Sequence, residues 1–178
     1  MTLRPHPHVR VLEDVRLHVG KVFDLVRRKV ELPSGLEQDW ELVEHPGAAA
    51  IAAITEDGEL VVVRQFRAAV GDWTVEIPAG RLDPGEDPRE AAERELEEET
   101  GYRARHWSLL RSFLPAVGFC SEVIHLFEAR GLEALPGGGR PSDADEEIEV
   151  LRMRPEELLR QEPADGKTLL AACMAMKR

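Results

Sequence analysis

The sequence has little cysteine and no long apolar run. Its 178 residues include two cysteines, Cys120 and Cys173, and neither belongs to a CxxC pair or to a Cys/His cluster with zinc-ligand spacing. We therefore expect two reduced thiols, as is usual in the cytosol. No apolar stretch approaches the roughly 20 residues that span a bilayer, and the amino terminus lacks the apolar region of a secretory signal. A cytoplasmic protein without a membrane partner is expected.

Positive charge is scarce as well. The chain carries 23 Lys and Arg residues against 34 Asp and Glu residues, a formal net charge of -11. Because a protein that binds nucleic acid through its phosphate backbone needs a basic face, this balance argues against a nucleic-acid partner. It leaves room for a small nucleotide substrate, since metal ions and a few arginines can make one site locally positive.

Chain length and turn residues predict a fold in two parts. A chain of 178 residues suits one domain, or one domain with a small appendage. After a loosely ordered start over residues 1–15, alternating patches predict short strands on either side of Gly20 and a strand over residues 39–44. We assign residues 1–45 to an N-terminal β region and residues 46–178 to an α/β domain.

The second part mixes many strands with few helices. Strands are predicted over residues 48–55, 60–67, 73–78, 102–115, 122–129 and 148–153, and helices over residues 88–100, 155–161 and 167–177. Such a mixture favours an α/β sandwich built on a mixed sheet over a regular parallel βαβ array.

The first of these helices has clear start and stop signals. Asp87 is suited to the N-cap and Pro88 to the first helical position. Gly101 follows the last turn, where a left-handed residue commonly closes a helix. The helix is therefore predicted over residues 88–100.

Three glutamates of this helix share its packing side. At about 100° per residue, Glu95, Glu98 and Glu99 overlap the apolar stripe, whereas Glu97 points away. An acidic run is ordinarily a solvated surface, and that interpretation stays open. Carboxylates beside a packing face, however, repel one another and resist desolvation, and divalent cations would offset both costs. Hard cations with oxygen ligands, Mg²⁺ or Mn²⁺, are the natural partners.

Two residues lie close to these glutamates. Arg94 precedes Glu98 by one turn, so it either steers a metal-binding carboxylate or forms a surface ion pair. Glu86 lies in a glycine-bearing loop that can fold back toward Glu95 and Glu99. A loop glutamate on its own is usually solvated, so Glu86 carries weight only together with the helix.

The whole spacing resembles the signature of the Nudix hydrolases. Gly80 is followed by five residues, Glu86, seven residues and then the run Arg94-Glu95-Leu96-x-Glu98-Glu99-x-Gly101-Tyr102. Every fixed position is met, although the last one is usually a bulky aliphatic residue. The resemblance implies a Nudix-type α/β/α sandwich with a small N-terminal β appendage. It also implies hydrolysis of a nucleoside diphosphate linked to another moiety, with Mg²⁺ or Mn²⁺ as cofactor.

The same resemblance implies roles for single residues. Glu95 and Glu99 are the principal metal ligands, and Glu98 and Glu86 are further ligands or orienting residues. Arg94 fixes the geometry of the glutamates. The backbone carbonyl of Ala79 or its neighbour is a further ligand.

Three other stretches resemble bacterial ADP-ribose pyrophosphatases. They are residues 63–67 with 75–80, residues 115–122 and residues 143–150. This resemblance implies that ADP-ribose is cleaved to AMP and ribose 5-phosphate. The alternatives are another nucleoside diphosphate derivative (an ADP- or GDP-sugar, NADH or a dinucleoside polyphosphate) and a sensor that binds ADP-ribose without cleaving it.

These stretches supply four further candidate residues. Arg67, Glu76 and Glu122 are implied as substrate contacts, and Glu146 as the catalytic base or a further metal ligand. Each has a simpler interpretation: Arg67 as a surface residue at a strand end, Glu76 as a side chain pointing outward, Glu122 as a residue without substrate contact, and Glu146 as part of a solvated loop. One acidic position of the last stretch is Ala144 here, so the identity of the base stays open.

The N-terminal β region has a role in the same subclass. There such a region exchanges across a homodimer and helps to hold the adenine. Trp40 is a candidate stacking platform for the base and Glu41 a candidate acceptor for its amino group. Ordinary packing of Trp40 and ordinary exposure of Glu41 are the competing interpretations.

Overall fold

The computed structural model describes residues 6–136 and 147–177. In chain order, the elements of this part are β1 (Arg10–Val19), β2 (Asp24–Glu31), β3 (Glu37–Glu44), β4 (Ala48–Ile54), β5 (Leu60–Arg67), β6 (Asp72–Glu76), β7 (Ala79–Arg81), α1 (Pro88–Thr100), β8 (Tyr102–Phe113), β9 (Ile124–Ala134), β10 (Ile148–Met153), α2 (Pro155–Leu158) and α3 (Gly166–Ala175). No helix in this part of the chain is both long and apolar enough to cross a bilayer.

The first strand corrects one prediction. The sequence predicts a loosely ordered start over residues 1–15, but β1 begins at Arg10 and pairs with β2 along its length. Arg28 of β2 donates to Asp14 of β1 at 2.6 Å. The prediction is wrong for residues 10–15 because the charges that suggest disorder are paired across the strand ladder.

The chain divides into two units. One combines Met1–Gly47 with Leu114–Val123, and the other combines Ala48–Phe113 with Ile124–Arg178. Within the first unit, β1, β2 and β3 form an antiparallel sheet in that order. The loop over residues 114–123 joins it through backbone hydrogen bonds, since Val43 N donates to Phe119 O at 2.8 Å. The predicted domain boundary after residue 45 stays a prediction.

The second unit is built on a mixed sheet. Its strand order is β10-β5-β4-β9-β8, with β6 pairing with β5 and β7 pairing with β4. Strands β4 and β9 run parallel, and the other pairs are antiparallel. β4 consists of alanine and isoleucine and is buried throughout, because both faces of the sheet are covered.

Different helices cover the two faces of this sheet. One face packs against α2 and α3, and the other packs against α1. Leu96 of α1 and Leu158 of α2 are fully buried, which stabilises the fold by roughly 1.5–3 kcal/mol for each side chain. The predicted α/β/α sandwich on a mixed sheet is confirmed. Alanines on β4 and on α1 let that helix lie close to the sheet, which brings its glutamates near the backbone of β7.

Candidate active site

Helix α1 begins and ends at the predicted residues. Asp87 accepts a hydrogen bond from Arg89 N at 2.8 Å, and Pro88 occupies the first turn. Gly101 closes the helix in the left-handed conformation, with φ 70° and its N–H donated to Glu97 O at 3.0 Å. Both ends are thus fixed by local interactions, and they set the rotation of every side chain between them.

The rotation of α1 places two glutamates on its packed side. Glu95 and Glu99 are 8% and 9% exposed. Glu97 instead pairs with Arg103 at 2.6 Å on the outer side, and Glu98 is half-buried. The predicted packing side is therefore confirmed for Glu95 and Glu99, and a fully solvated acidic face is excluded.

The carboxylate of Glu95 lies directly against the backbone of β7. A Cβ atom built on Gly80 would stand 1.9 Å from both Cδ and Oε1 of Glu95, so only glycine leaves room for this side chain in its present position. One residue earlier, Ala79 N donates to Glu99 Oε2 at 3.1 Å. Helix and strand thus meet through two carboxylates.

Arg94 forms hydrogen bonds to three carboxylates of the cluster. Its Nε donates to Glu86 Oε1 at 2.9 Å, and its Nη1 donates to Glu95 Oε1 at 2.7 Å and to Glu98 Oε2 at 3.1 Å. Its Nη2 reaches the carbonyl of Arg81 at 3.2 Å. The interpretation of Arg94 as one half of a surface ion pair is therefore excluded, since Arg94 contacts three glutamates at once.

The charges of this cluster do not balance. The hydrogen bond from Arg94 lowers the pKa of Glu86 below its ordinary value. Burial raises the pKa of Glu95, although Arg94 opposes that effect. Glu86, Glu95, Glu98 and Glu99 together carry four negative charges in their ionised forms, against one guanidinium. The surplus favours a bound cation.

The donor chemistry of the cluster fits a hard divalent cation. Carboxylate oxygens and backbone carbonyls are the ligands that such ions prefer. Within residues 6–136 and 147–177, no three carboxylate, imidazole or thiolate side chains are arranged as a ready coordination group.

A second charged group surrounds Glu76 on β6. Arg67 donates to both of its oxygens, from Nε at 2.7 Å and from Nη2 at 2.8 Å. Thr74 Oγ1 donates at 2.7 Å, and Lys167 Nζ donates as well. Although burial alone would raise it, these cations and the hydroxyl lower the pKa of Glu76 to about 2. Glu76 therefore points inward as a buried ion-pair partner, which excludes the interpretation of an outward-facing strand residue.

Comparison with known families decides the membership of this chain. The model of the NUDIX domain matches residues 43–173. The chain belongs to the Nudix family.

Individual relatives agree with this membership. The chain is 43% identical over 156 residues to an ADP-ribose pyrophosphatase of Bacillus subtilis (strain 168), with 85% of this chain and 84% of that protein covered. It is 39% identical over 166 residues to a methanol dehydrogenase activator of Bacillus methanolicus, with 91% and 89% covered. A crystal structure of an ADP compounds hydrolase matches with a TM-score of 0.80 and 21% identity, over 98% of this chain and 96% of that one, which supports the fold. The chain is a Nudix hydrolase.

Three other candidate residues of this Nudix hydrolase belong to the first unit. Trp40 and Glu41 are neighbours on β3, and Trp40 is 45% exposed, which fits either a stacking platform or a surface residue. Glu122 is partly buried, and its Oε1 lies 3.6 Å from His45 Nδ1. Glu146 lies outside the described residues. The roles of all four residues stay predictions.

Sequence reasoning about the Nudix hydrolase missed one charged residue. Lys167 pairs with Glu76 across 91 positions of the chain, a separation that leaves no local pattern. The one available signal is a lysine in the first turn of α3, where positive charge is unfavourable unless a partner compensates it.

Proposed function

We propose that this Nudix hydrolase cleaves the pyrophosphate of ADP-ribose to AMP and ribose 5-phosphate, with Mg²⁺ or Mn²⁺ as cofactor. One observation carries the reaction type: two buried glutamates of α1 meet the backbone of β7, and Arg94 orients the carboxylates around them. The choice of ADP-ribose is supported by the likeness to an ADP-ribose pyrophosphatase over most of both chains.

The residues of this cluster have separate tasks in the proposed reaction. Glu95 and Glu99, with Glu86 and the carbonyl of Ala79, hold the cation. When bound, the cation neutralises the pyrophosphate and makes a water molecule more acidic. Arg94 fixes the orientation of the carboxylates of Glu86, Glu95 and Glu98. Since Arg94 touches three carboxylates, it holds them in one cluster before the substrate arrives.

Two acids are candidates for the proton acceptor. Glu98 lies within this cluster and is half-buried, so it can exchange protons with solvent. Glu146 is the candidate implied by resemblance. We assign both to catalysis, with Glu146 as the base or a further metal ligand. Removal of the proton from the attacking water is general-base catalysis, which requires an acceptor within hydrogen-bond reach of that water.

Five residues outside the glutamate cluster are assigned to substrate recognition, each on its own grounds. We assign Arg67, held by the buried Glu76, to the phosphate or ribose, and Glu122 to a further substrate contact. Trp40 and Glu41 are assigned to the adenine, which an indole can stack on and a carboxylate can accept from. The exposure of Trp40 and the partial exposure of Arg67 are compatible with these contacts.

We propose further that the enzyme is a cytoplasmic homodimer. The first unit exposes apolar side chains on β1 and on the turn that follows it, among them Val11 at 54%, Val19 at 68% and Phe23 at 45%. An apolar surface of this kind marks a protein interaction site. We expect sedimentation equilibrium to give about twice the 19.9 kDa mass of the chain, and Val19→Glu to shift the equilibrium toward the monomer. A monomer at micromolar wild-type concentration would contradict the proposal.

A substrate panel tests the proposed activity. ADP-ribose, ADP-glucose, GDP-mannose, NADH and diadenosine tetraphosphate are compared at equal Mg²⁺ by kcat/KM, with EDTA as the control. We expect ADP-ribose to rank first and EDTA to abolish turnover. A different leading substrate would favour one of the other nucleoside diphosphate derivatives. Calorimetric binding of ADP-ribose without turnover would favour a sensor.

A further inference from the structure

A lysine is buried at the start of the last helix. Lys167 is the second residue of α3, and its side chain is 11% exposed. Burial removes hydration from the ammonium group, and the first turn of a helix already carries partial positive charge. Nearby negative charge must therefore compensate Lys167.

Two carboxylates supply this charge. Lys167 Nζ donates to Glu76 and lies 3.1 Å from Asp165 Oδ2. Asp165 also caps α3 by accepting from Thr168 N at 2.9 Å. The hydroxyl of Thr168 accepts from Ile77 N at 2.9 Å. Helix α3 is thus fastened at two adjacent points to the chain segment that carries Glu76.

The carboxylate of Glu76 is fully occupied. Arg67 donates to it twice, and Thr74 and Lys167 donate once each. A carboxylate offers about four lone-pair positions, so these four hydrogen bonds use its accepting capacity. Glu76 therefore has no accepting position left for a substrate. Its contribution to substrate binding is to hold Arg67, whose planar guanidinium is fixed by the paired bonds.

We propose that Lys167 is a positioning residue of the substrate site, which fixes Glu76 and thereby the guanidinium of Arg67. By holding one carboxylate oxygen, Lys167 limits rotation of the Glu76 carboxylate, and the bidentate pair passes that orientation to Arg67. The last helix thus contributes to substrate affinity without touching the substrate. This inference rests on the proposed function, because it takes Arg67 as a substrate contact.

The first test substitutes Lys167 itself. Lys167→Met keeps the length of the side chain and removes the charge. We expect KM to rise roughly tenfold while kcat stays within about threefold of wild type, because the metal-binding glutamates of α1 are untouched. Lys167→Arg keeps a cation at this position and restores most of the affinity. Lys177→Met, at an exposed position after the same helix, is the control and behaves as wild type.

A double-mutant cycle separates positioning from a merely structural role. If Lys167 acts through Arg67, Lys167→Met raises KM far less in an Arg67→Met background than in the wild type. Circular dichroism and thermal unfolding follow the fold of each variant. Additive effects on KM would overturn the inference, as would a lowered Tm with an unchanged KM.

The cycle also distinguishes this inference from the proposed function. It is run with whichever nucleotide derivative of the panel has the highest kcat/KM. A leading substrate other than ADP-ribose revises the proposed function, and the cycle still decides the role of Lys167. A wild-type protein that hydrolyses none of the derivatives with Mg²⁺ or Mn²⁺ overturns both.

Discussion

Glu99→Gln is expected to lower kcat on the order of a thousandfold or more, with the fold intact. Glutamine has the same shape as glutamate, and its carbonyl oxygen can still accept from Ala79 N, which donates to Glu99 at 3.1 Å. What disappears is the negative charge that a divalent cation needs. Steady-state kinetics at saturating ADP-ribose and Mg²⁺ measures the effect.

The stability of this variant is expected to change in the opposite direction to its activity. Glu99 is 9% exposed and lies on the same side of α1 as Glu95, so its ionised carboxylate is more costly to bury than the neutral amide of glutamine. In metal-free buffer we expect the Tm of Glu99→Gln to equal or exceed that of wild type. The matched control is Glu97→Gln, on the outer side of the same helix, with kcat within about twofold of wild type. Equal kcat values for the two variants would refute the assignment of Glu99 as a ligand.

Gly80→Ala is expected to lower kcat roughly a hundredfold, because the new methyl group takes the place of a carboxylate. A Cβ atom at Gly80 would stand 1.9 Å from the Oε1 atom of Glu95. The side chain of Glu95 can swing away, so the fold tolerates the substitution, but the carboxylate then leaves its position by more than an ångström. Steady-state kinetics measures the loss of kcat, and isothermal titration calorimetry measures the loss of metal affinity.

A second glycine serves as the control for Gly80. A Cβ atom at Gly166, the first residue of α3, meets no heavy atom within 4 Å, and its φ is not in the left-handed region. Gly166→Ala is therefore expected to keep wild-type kcat and metal affinity. Wild-type kcat in Gly80→Ala would mean that Glu95 does not need its position against β7, and the proposed ligand set would have to change.

Local signals account for what the sequence predicted well. The bounds of α1 follow from Asp87, Pro88 and Gly101, which all act within one turn of the helix ends. Once these ends are fixed, the rise and rotation of the helix determine that Glu95 and Glu99 face inward. The spacing of the glutamates therefore predicts their orientation from helix geometry alone, without reference to a family.

Contacts over long sequence distances account for what it missed. Hydrogen bonds of Val43 with Phe119 and Ser121 join the loop over residues 114–123 to β3, and the ion pair of Lys167 with Glu76 joins α3 to β6. Neither of these contacts leaves a periodic pattern or a turn motif in the sequence. β9 is predicted to end at Ala129 but continues to Ala134, because its pairing with β8 outweighs the turn preference of Gly131.

The most direct test follows the phosphorus atoms of ADP-ribose by ³¹P NMR. With Mg²⁺ and the wild-type protein, we expect the pyrophosphate signals to be replaced by the phosphomonoester signals of AMP and ribose 5-phosphate. Glu99→Gln under the same conditions should leave the pyrophosphate signals in place. Intact ADP-ribose in the wild-type reaction, or equal conversion by the two proteins, would contradict pyrophosphate hydrolysis at the glutamates of α1.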